Sequence, residues 1–226
     1  MPTKRTLVLV LGGVAGAVDA IGYVTLFHLF TANMTGNTVK AAHGLAAGDW
    51  ASLAWHAFPV VMFAVGAIVG AILARGMRSR TLPFVLESAA LIAFAVLASR
   101  REFGELHWLT AAMPATAMGI QAVTVRRCGG AKVQTAFVSG VLVSLADALV
   151  TWVKSKRAGA GARARLVLGI WCSYVLGAIA GFTAHARIGA AAIALPLAGL
   201  FAAVVLVAGA PHPRGESAPP RVSRSV

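Results

Sequence analysis

The sequence predicts an all-α fold, a polytopic helical membrane protein with six full spans, two re-entrant or short segments and two related halves. Of its 226 residues, 58% are hydrophobic and 12% are charged, against roughly 45–50% and about 25% in soluble domains. Long apolar runs alternate with short clusters of Lys and Arg. This composition excludes a soluble globular enzyme, a disordered chain and a disulfide scaffold.

A run of about 20 apolar residues is long enough to cross the hydrocarbon core as a helix. The first run begins like a signal peptide, but it extends too far for one and is interpreted as a retained span. The segment 31–47 is short and polar, and 133–153 is its counterpart in the second half. The six predicted full spans are residues 7–29, 53–74, 82–99, 106–125, 166–186 and 188–208.

The distribution of basic residues sets the expected orientation. If 31–47 and 133–153 re-enter the membrane, 16 of the 20 Lys and Arg face the cytoplasm, together with both termini. If all eight segments span, only 12 do so and seven lie outside. The positive-inside rule therefore favours six full spans. Seven or eight spans are the alternative, because 133–153 is long enough to cross.

The net charge of +13 is interpreted as topogenic, because the Lys and Arg lie between apolar runs. The lipid bilayer is the expected partner, no nucleic acid is expected, and a homo-oligomer is compatible with the sequence. The two cysteines and six histidines show no metal-ligand spacing, and no P-loop, Rossmann or nucleophile-elbow motif occurs. We expect no metal, no cofactor and no catalytic activity.

The chain divides into a single transmembrane domain, residues 1–209, and a polar, Pro-rich tail, residues 210–226, which we expect to be disordered. Within the domain, residues 6–99 and 106–209 look like related halves. An odd number of full spans in each half would invert the second half, an arrangement that is typical of transporters.

Short motifs repeat between the two halves. The Thr-Ala-x-x-Thr-Gly pattern of residues 31–36 recurs as Thr-Ala-x-x-Ser-Gly at 135–140, an offset of 104. Two Gly-x-x-x-Gly pairs repeat at an offset of 111: Gly66/Gly70 and Gly177/Gly181. Such pairs let helix backbones approach closely in lipid.

Asp19 is the most informative polar residue, because it lies in the middle of the first predicted span. A carboxylate at that depth is costly unless it faces a partner, water or a proton. A protonatable group there suits proton-coupled transport, whereas a hydrogen-bonded Asp would instead fix helix packing. The repeat aligns Asp19 with Gln121.

The segment 31–38 carries five hydroxyl or amide side chains in eight residues, too many to face lipid. Its glycine can adopt backbone angles that break a helix, and irregular polar backbone at membrane depth lines cavities. We therefore expect this segment to line a solute or ion path, with an ordinary external loop as the alternative. Its path candidates are Asn33, Thr35, Gly36 and Asn37.

The second half supplies further path candidates: Gln121, Thr135, Ser139 and Asp147. The polar residues around Asp147 recur at helical spacing, so they share one helix face, which we expect to point inward. Glu87 lies near the predicted cytoplasmic end of its span. We expect it to pair with Arg80 or Arg78 in a structural role.

Three motifs together resemble the YoaK-like family of bacterial multi-pass membrane proteins, classed under domain of unknown function 1275: residues 16–23, 34–37 and 118–121. The likeness covers about residues 6–207. Ala122 departs from the family pattern, which has Asn there. The resemblance implies a multi-pass architecture in the bacterial inner membrane and supplies no reaction.

Polar groups at mid-membrane depth and repeated halves together favour a small-solute or ion transporter or channel, with proton coupling through Asp19 as an option. A non-catalytic membrane accessory or scaffold protein is the first alternative. A membrane-embedded enzyme is a weaker one, because the sequence offers carboxylates but no triad.

Overall fold

The computed structural model describes residues 2–76, 80–99, 103–129, 138–155 and 158–209, and these residues are almost entirely helical. The helices are α1 (Pro2–Thr25), α2 (Met34–Ala46), α3 (Trp50–Gly76), α4 (Leu82–Ala98), α5 (Phe103–Gly129), α6 (Val138–Ser155), α7 (Ala158–Ile188), a 3₁₀ helix (Gly189–Ile193) and α8 (Ala194–Ala208). The prediction of an all-α polytopic membrane protein is confirmed. The predicted tail, 210–226, lies outside the described residues.

Three stretches of the described chain are long and apolar enough to cross a bilayer: Lys4–Thr25, Trp50–Arg75 and Gly161–Ala208. The last of these is 48 residues long and is interrupted by the 3₁₀ helix. The break begins at Gly189, whose φ of 58° favours glycine. Helix α4 is apolar but shorter, at 17 residues.

Helix α1 lies at the centre of the bundle, and its side chains from Leu7 to Ile21 are mostly buried. The core cluster also takes side chains from α4, α5, α7 and α8. In contrast, α3 exposes a stripe of large apolar side chains at spacings of three and four residues: Val61, Val65, Ile68 and Ile72. A stripe of this kind suits a lipid-facing surface.

Two contacts set the direction of α2 relative to α1. The Asp19 carboxylate accepts a hydrogen bond of 2.7 Å from the backbone N–H of Thr31, just before α2 begins. Within α2, the Lys40 ammonium donates at 2.6 Å to the carbonyl of His28, which lies in the turn just past the end of α1. Helix α2 therefore starts at the level of Asp19 and leads back toward the level at which α1 ends, so α2 runs parallel to α1. Its 13 residues rise only about 20 Å, less than the hydrocarbon core of about 30 Å.

A tight turn then joins α2 to α3. A β-carbon at Gly44 would lie 2.7 Å from the backbone nitrogen of Leu53, so the two helices pack closely as an antiparallel hairpin. Gly48 in the turn has a φ of 71°, which favours glycine. The Asp49 carboxylate accepts a hydrogen bond from the N–H of Ser52 at 2.9 Å and caps α3. Helix α3 therefore runs opposite to both α1 and α2.

Glycines bring α1 against α7. A β-carbon at Gly16 would overlap the carbonyl oxygen of Tyr174. Earlier in both helices, Gly12 lies against Ile170, and later Gly181 lies against Ala17. Because the residue numbers of the contacting pairs increase together along α1 and α7, the two helices run parallel.

The packing of α3 on α5 follows the same pattern. A β-carbon at Gly66 would overlap the carbonyl oxygen of Thr116, and one at Gly119 would overlap that of Phe63. Further along both helices, a β-carbon at Gly70 would lie 3.1 Å from the Cα of Ile120. These two helices are also parallel, so α3 and α5 run one way and α1, α2 and α7 run the other.

Candidate functional site

Asp19 is the centre of a buried hydrogen-bond cluster. Its Oδ1 accepts from the backbone N–H of Thr31 and of Ala32, each at 2.7 Å, and from the Thr31 hydroxyl at 3.1 Å. Its Oδ2 accepts from the hydroxyl of Tyr174 at 2.6 Å. The side chain is only 3% exposed. The carboxyl group therefore acts as an acceptor for four donors at once.

These bonds fasten the segment 26–33 to α1 and link it to α7. Gly22 makes the approach possible, because a β-carbon there would overlap the Thr31 methyl group. Of the two interpretations of Asp19, the geometry favours the hydrogen-bonded residue that fixes packing.

Asn37 holds the other side of the same segment. Its Oδ1 accepts from the backbone N–H of Phe30 at 3.0 Å, and its Nδ2 donates to the Phe30 carbonyl at 2.7 Å. Asn37 is fully buried. An amide is the side chain that can supply both a donor and an acceptor here.

The chain reverses sharply after α1, because Phe27 and His28 both adopt left-handed backbone angles, with φ of 51° and 66°. Such angles are uncommon for residues other than glycine. Lys40 lies over this turn, with its Nζ 5.5 Å from the ring centroids of Tyr23 and Phe30. A cation in this position stabilises both rings and the His28 carbonyl that it bonds.

The helix break predicted at Gly36 is wrong in position. Gly36 lies in the first turn of α2, and the irregular backbone precedes it, at 26–33. The glycine is needed for packing instead, because a β-carbon there would lie 2.8 Å from the Phe30 ring. Tertiary hydrogen bonds from Asp19 and Asn37, not local glycine flexibility, stabilise the break.

Two of the predicted path residues remain accessible at the start of α2: Asn33 is half-buried and Thr35 is exposed. Asp19, whose bonds fix this end of α2, lies six residues before the end of α1, or about 9 Å inside it. Accessible hydroxyl and amide groups therefore lie at a depth where α1 is still helical and buried.

Gln121 does not join this cluster. Its Nε2 donates to the carbonyl of Leu11 at 2.6 Å and so links α5 to α1. Leu11 is eight residues, or about 12 Å along the helix, from Asp19. The Gln121 Oε1 is buried without a hydrogen-bond partner among the described residues.

Asp147 is also separate, and the expected inward orientation is wrong. Its side chain is exposed and lies 4.0 Å from the guanidinium of Arg163, since α6 packs on α7 and no described residue covers this face. Ser139 belongs to α6, but its side chain lies outside the described residues, as does the whole of Thr135.

Glu87 lies in surroundings that differ from those its position in the sequence predicts. It is fully buried, and neither carboxyl oxygen has a hydrogen-bond partner among the described residues. The expected pair with Arg80 does not form, because Arg80 is exposed and Glu87 faces the core; Arg78 lies outside the described residues. The available signal was its spacing from Phe84 and Leu91, which puts it on the apolar face of α4.

Comparison with known proteins agrees with the resemblance seen in the motifs. The family model described as "Protein of unknown function (DUF1275)" matches residues 7–206. The chain belongs to this family. It is also 36% identical over 154 residues to "UPF0700 transmembrane protein YoaK" of Bacillus subtilis (strain 168), and the match covers 64% of this chain and 66% of that protein. No solved structure matches.

Membership of the DUF1275 family and the apolar helices together make this an integral membrane protein. The family description names no reaction. The site in this member of the DUF1275 family must therefore be interpreted from its own geometry.

Proposed function

We propose that the protein moves a small solute or ion across the bacterial inner membrane, along a path beside the first turn of α2. One observation carries the proposal. A polar segment at membrane depth is held in an irregular conformation by Asp19 and Asn37, and it presents accessible hydroxyl and amide groups. Irregular backbone at this depth is tolerated where it lines a cavity or is buried in protein.

The helix directions support six full spans. Since α2 runs parallel to α1 and is too short to cross, it enters and leaves the membrane on the side where α1 ends. Helix α5 runs in the same direction as α3, and α7 runs in the same direction as α1. In this topology α6, which connects α5 to α7, begins and ends on the side of the membrane opposite to the one where α1 ends. The basic loops and this topology together support an orientation with both termini in the cytoplasm.

The packing also supports two halves related by inversion. Gly16 on α1 and Gly119 on α5 occupy matching places at an offset of 103, and Gly66 on α3 and Gly177 on α7 match at 111. Inverted repeats with discontinuous helices are the architecture of many secondary transporters. The offset of 103 pairs Asp19 with Ala122. The sequence repeat instead pairs Asp19 with Gln121, so the two alignments differ by one residue.

The accessible side chains define the path in this proposal. Asn33 and Thr35 cannot face lipid without losing hydrogen bonds, so they face water or a solute. Asp19 and Asn37 are buried behind them and keep the segment in place. Gln121 and Asp147 lie elsewhere, and we propose no contact between them and the solute.

Proton coupling through Asp19 stays a prediction. Protonation would turn one acceptor oxygen into a donor and weaken the bonds to Thr31, Ala32 and Tyr174. The 26–33 segment would then be freer to move. If Asp19→Asn left both the rate of uptake and its pH dependence unchanged, this role would be wrong.

Reconstituted vesicles test the transport proposal. The purified protein is placed in liposomes, and uptake of a panel of small solutes and ions is measured with and without a proton gradient. We expect flux above that of empty liposomes, lowered about tenfold by Asn37→Ala, which releases the segment. Gly12→Ala is the matched control, because a β-carbon there makes only ordinary contacts.

Two results would contradict the proposal. One is no flux across the whole panel, protons included, from protein that is folded in the vesicles. The other is flux that Asn37→Ala leaves unchanged.

An accessory or scaffold protein is the second candidate, and one observation favours it. Asp147 is exposed on a helix beside the membrane core, where a partner chain would cover it. Affinity purification discriminates the two, because an accessory subunit would be recovered with a stoichiometric partner. We propose no catalytic activity in either case.

A further inference from the structure

Glu87 lies on the face of α4 that packs into the core. Its neighbours on that face, Phe84, Leu91 and Phe94, are each at most 1% exposed and belong to the core cluster. Both of its carboxyl oxygens are buried without a hydrogen-bond donor among the described residues. An unpaired carboxylate is strongly disfavoured in such surroundings, so the carboxyl group carries its proton in this conformation.

The second half shows that packing does not need a carboxyl group at this place. Pro83 begins the buried face of α4 and Glu87 follows four residues later; on α8, buried Pro196 is followed at the same spacing by Leu200. Leu200 is 0% exposed, like Glu87, and lies in the same core cluster. A leucine therefore satisfies the equivalent position.

We infer that Glu87 is a proton-binding site inside the helix bundle, which releases its proton to water when α4 moves away from the core. The step is a simple ionisation: the acid O–H bond breaks, the carboxylate keeps the electron pair, and water takes the proton. If Glu87 couples proton release to solute transport, that role rests on the proposed transport function. As a proton-binding site, it stands on the burial and the missing partners alone.

No described charged group is positioned to ionise Glu87. Helix α4 packs on α5, α8, the 3₁₀ helix and α3, and neither α8 nor the 3₁₀ helix contains a titratable residue. On α5, His107 packs against Trp55 and Trp108. On α3, His56 bonds within its own helix and Arg75 is exposed. The remaining titratable groups of α5 have side chains outside the described residues: Glu105, Arg126, Arg127 and Cys128.

Infrared spectroscopy tests the proton directly. The purified full-length protein in lipid nanodiscs is examined between about pH 5 and about pH 9, a range in which exposed carboxyl groups are ionised. We expect a C=O band of a protonated carboxyl group at neutral pH that both Glu87→Gln and Glu87→Leu remove. Asp49→Asn is the control, because that exposed carboxylate caps α3 and should leave the band in place.

Glu87→Leu separates loss of the proton from loss of the fold. Because Leu200 fills the equivalent position on α8, this variant should melt at the wild-type temperature or above. Three results would overturn the inference: no band in the wild type at neutral pH, a band unchanged in Glu87→Gln, or loss of the band when Na⁺ or K⁺ is added at constant pH. The last would make this a cation site.

The coupling role has its own measurement in the reconstituted vesicles. We expect Glu87→Gln to make solute flux insensitive to an imposed proton gradient, and flux that still follows the gradient would remove the coupling role. A band without any flux would instead contradict the proposed transport function and leave the proton site intact. The two failures are therefore distinguishable.

Discussion

Asp19 organises its surroundings because it accepts several hydrogen bonds from groups that have no other partner among the residues that the structure describes. Two of its donors are backbone N–H groups of a non-helical segment, and a third is the hydroxyl of Tyr174 on another helix. Buried backbone groups of this kind are costly to leave unpaired. The residue therefore stabilises a local shape that the segment could not keep alone.

Asp19→Ala should destabilise the protein by about 2–4 kcal/mol, because it leaves the N–H groups of Thr31 and Ala32 unpaired. Tyr174→Phe removes only one bond and should cost about 1 kcal/mol. Thermal unfolding in detergent, followed by tryptophan fluorescence, ranks the two variants. Equal effects would show that the segment does not depend on the carboxylate.

Asn37→Asp should lower the melting temperature although it preserves the shape of the side chain. The carboxylate can still accept from the N–H of Phe30, but it repels the Phe30 carbonyl to which the amide donates. The matched control is Asn33→Asp, since no side-chain cap bond depends on Asn33. If both variants melted alike, the paired hydrogen bonds would not be what holds the segment.

The sequence located these residues but did not reveal their partners. Asp19 and the 31–38 segment stand out because they are polar in an apolar chain. Their bonds join residues 12 or 155 positions apart, and such pairs depend on how helices pack rather than on local pattern. Glu87 was misassigned for the same reason: its proximity in sequence to Arg80 said nothing about the face it occupies.

Close packing of helices depends on glycines that differ in importance within one motif. In the pair Gly12/Gly16, a β-carbon at Gly16 would overlap the Tyr174 carbonyl, whereas one at Gly12 would come no closer than 3.4 Å to Ile170. Between α3 and α5, a β-carbon at Gly66 would overlap the Thr116 carbonyl, whereas one at Gly70 would lie 3.1 Å from the Cα of Ile120, a closer approach than at Gly12. The sequence motif predicts close approach, and only the geometry separates the two positions.

Gly16→Ala should therefore destabilise the protein by about 1–3 kcal/mol, because α1 and α7 must separate. Gly12→Ala should change stability little, since the contact is ordinary and alanine favours the helix. Thermal unfolding of the two single variants is the measurement. Equal melting temperatures would contradict the close contact at Gly16.

The apolar stretches Lys4–Thr25, Trp50–Arg75 and Gly161–Ala208 were predictable because length and apolarity alone decide which helices can cross a bilayer. The direction of α2 was not. It depends on the turn at Phe27 and His28 and on the bonds of Asp19 and Lys40, none of which leaves a periodic signal.

Across the whole molecule, the helix directions and the charge distribution support the proposed topology through independent observations. The direction of α2 follows from contacts of Thr31 and Lys40, and the parallel pairs follow from glycine contacts. The count of Lys and Arg uses no contact at all. Agreement between the two is the main support for the proposed topology, in which the halves are inverted and α2 and α6 are half-inserted.

Cysteine labelling tests this topology most directly. Ala47→Cys, between α2 and α3, and Ser155→Cys, at the end of α6, are made separately in a chain whose Cys128 and Cys172 are replaced, and an impermeant maleimide is added from either face. Inverted halves predict that position 47 reacts from the outside and position 155 only from the cytoplasm. Reaction of both from the cytoplasm would mean that α2 and α6 each cross, and would contradict the account.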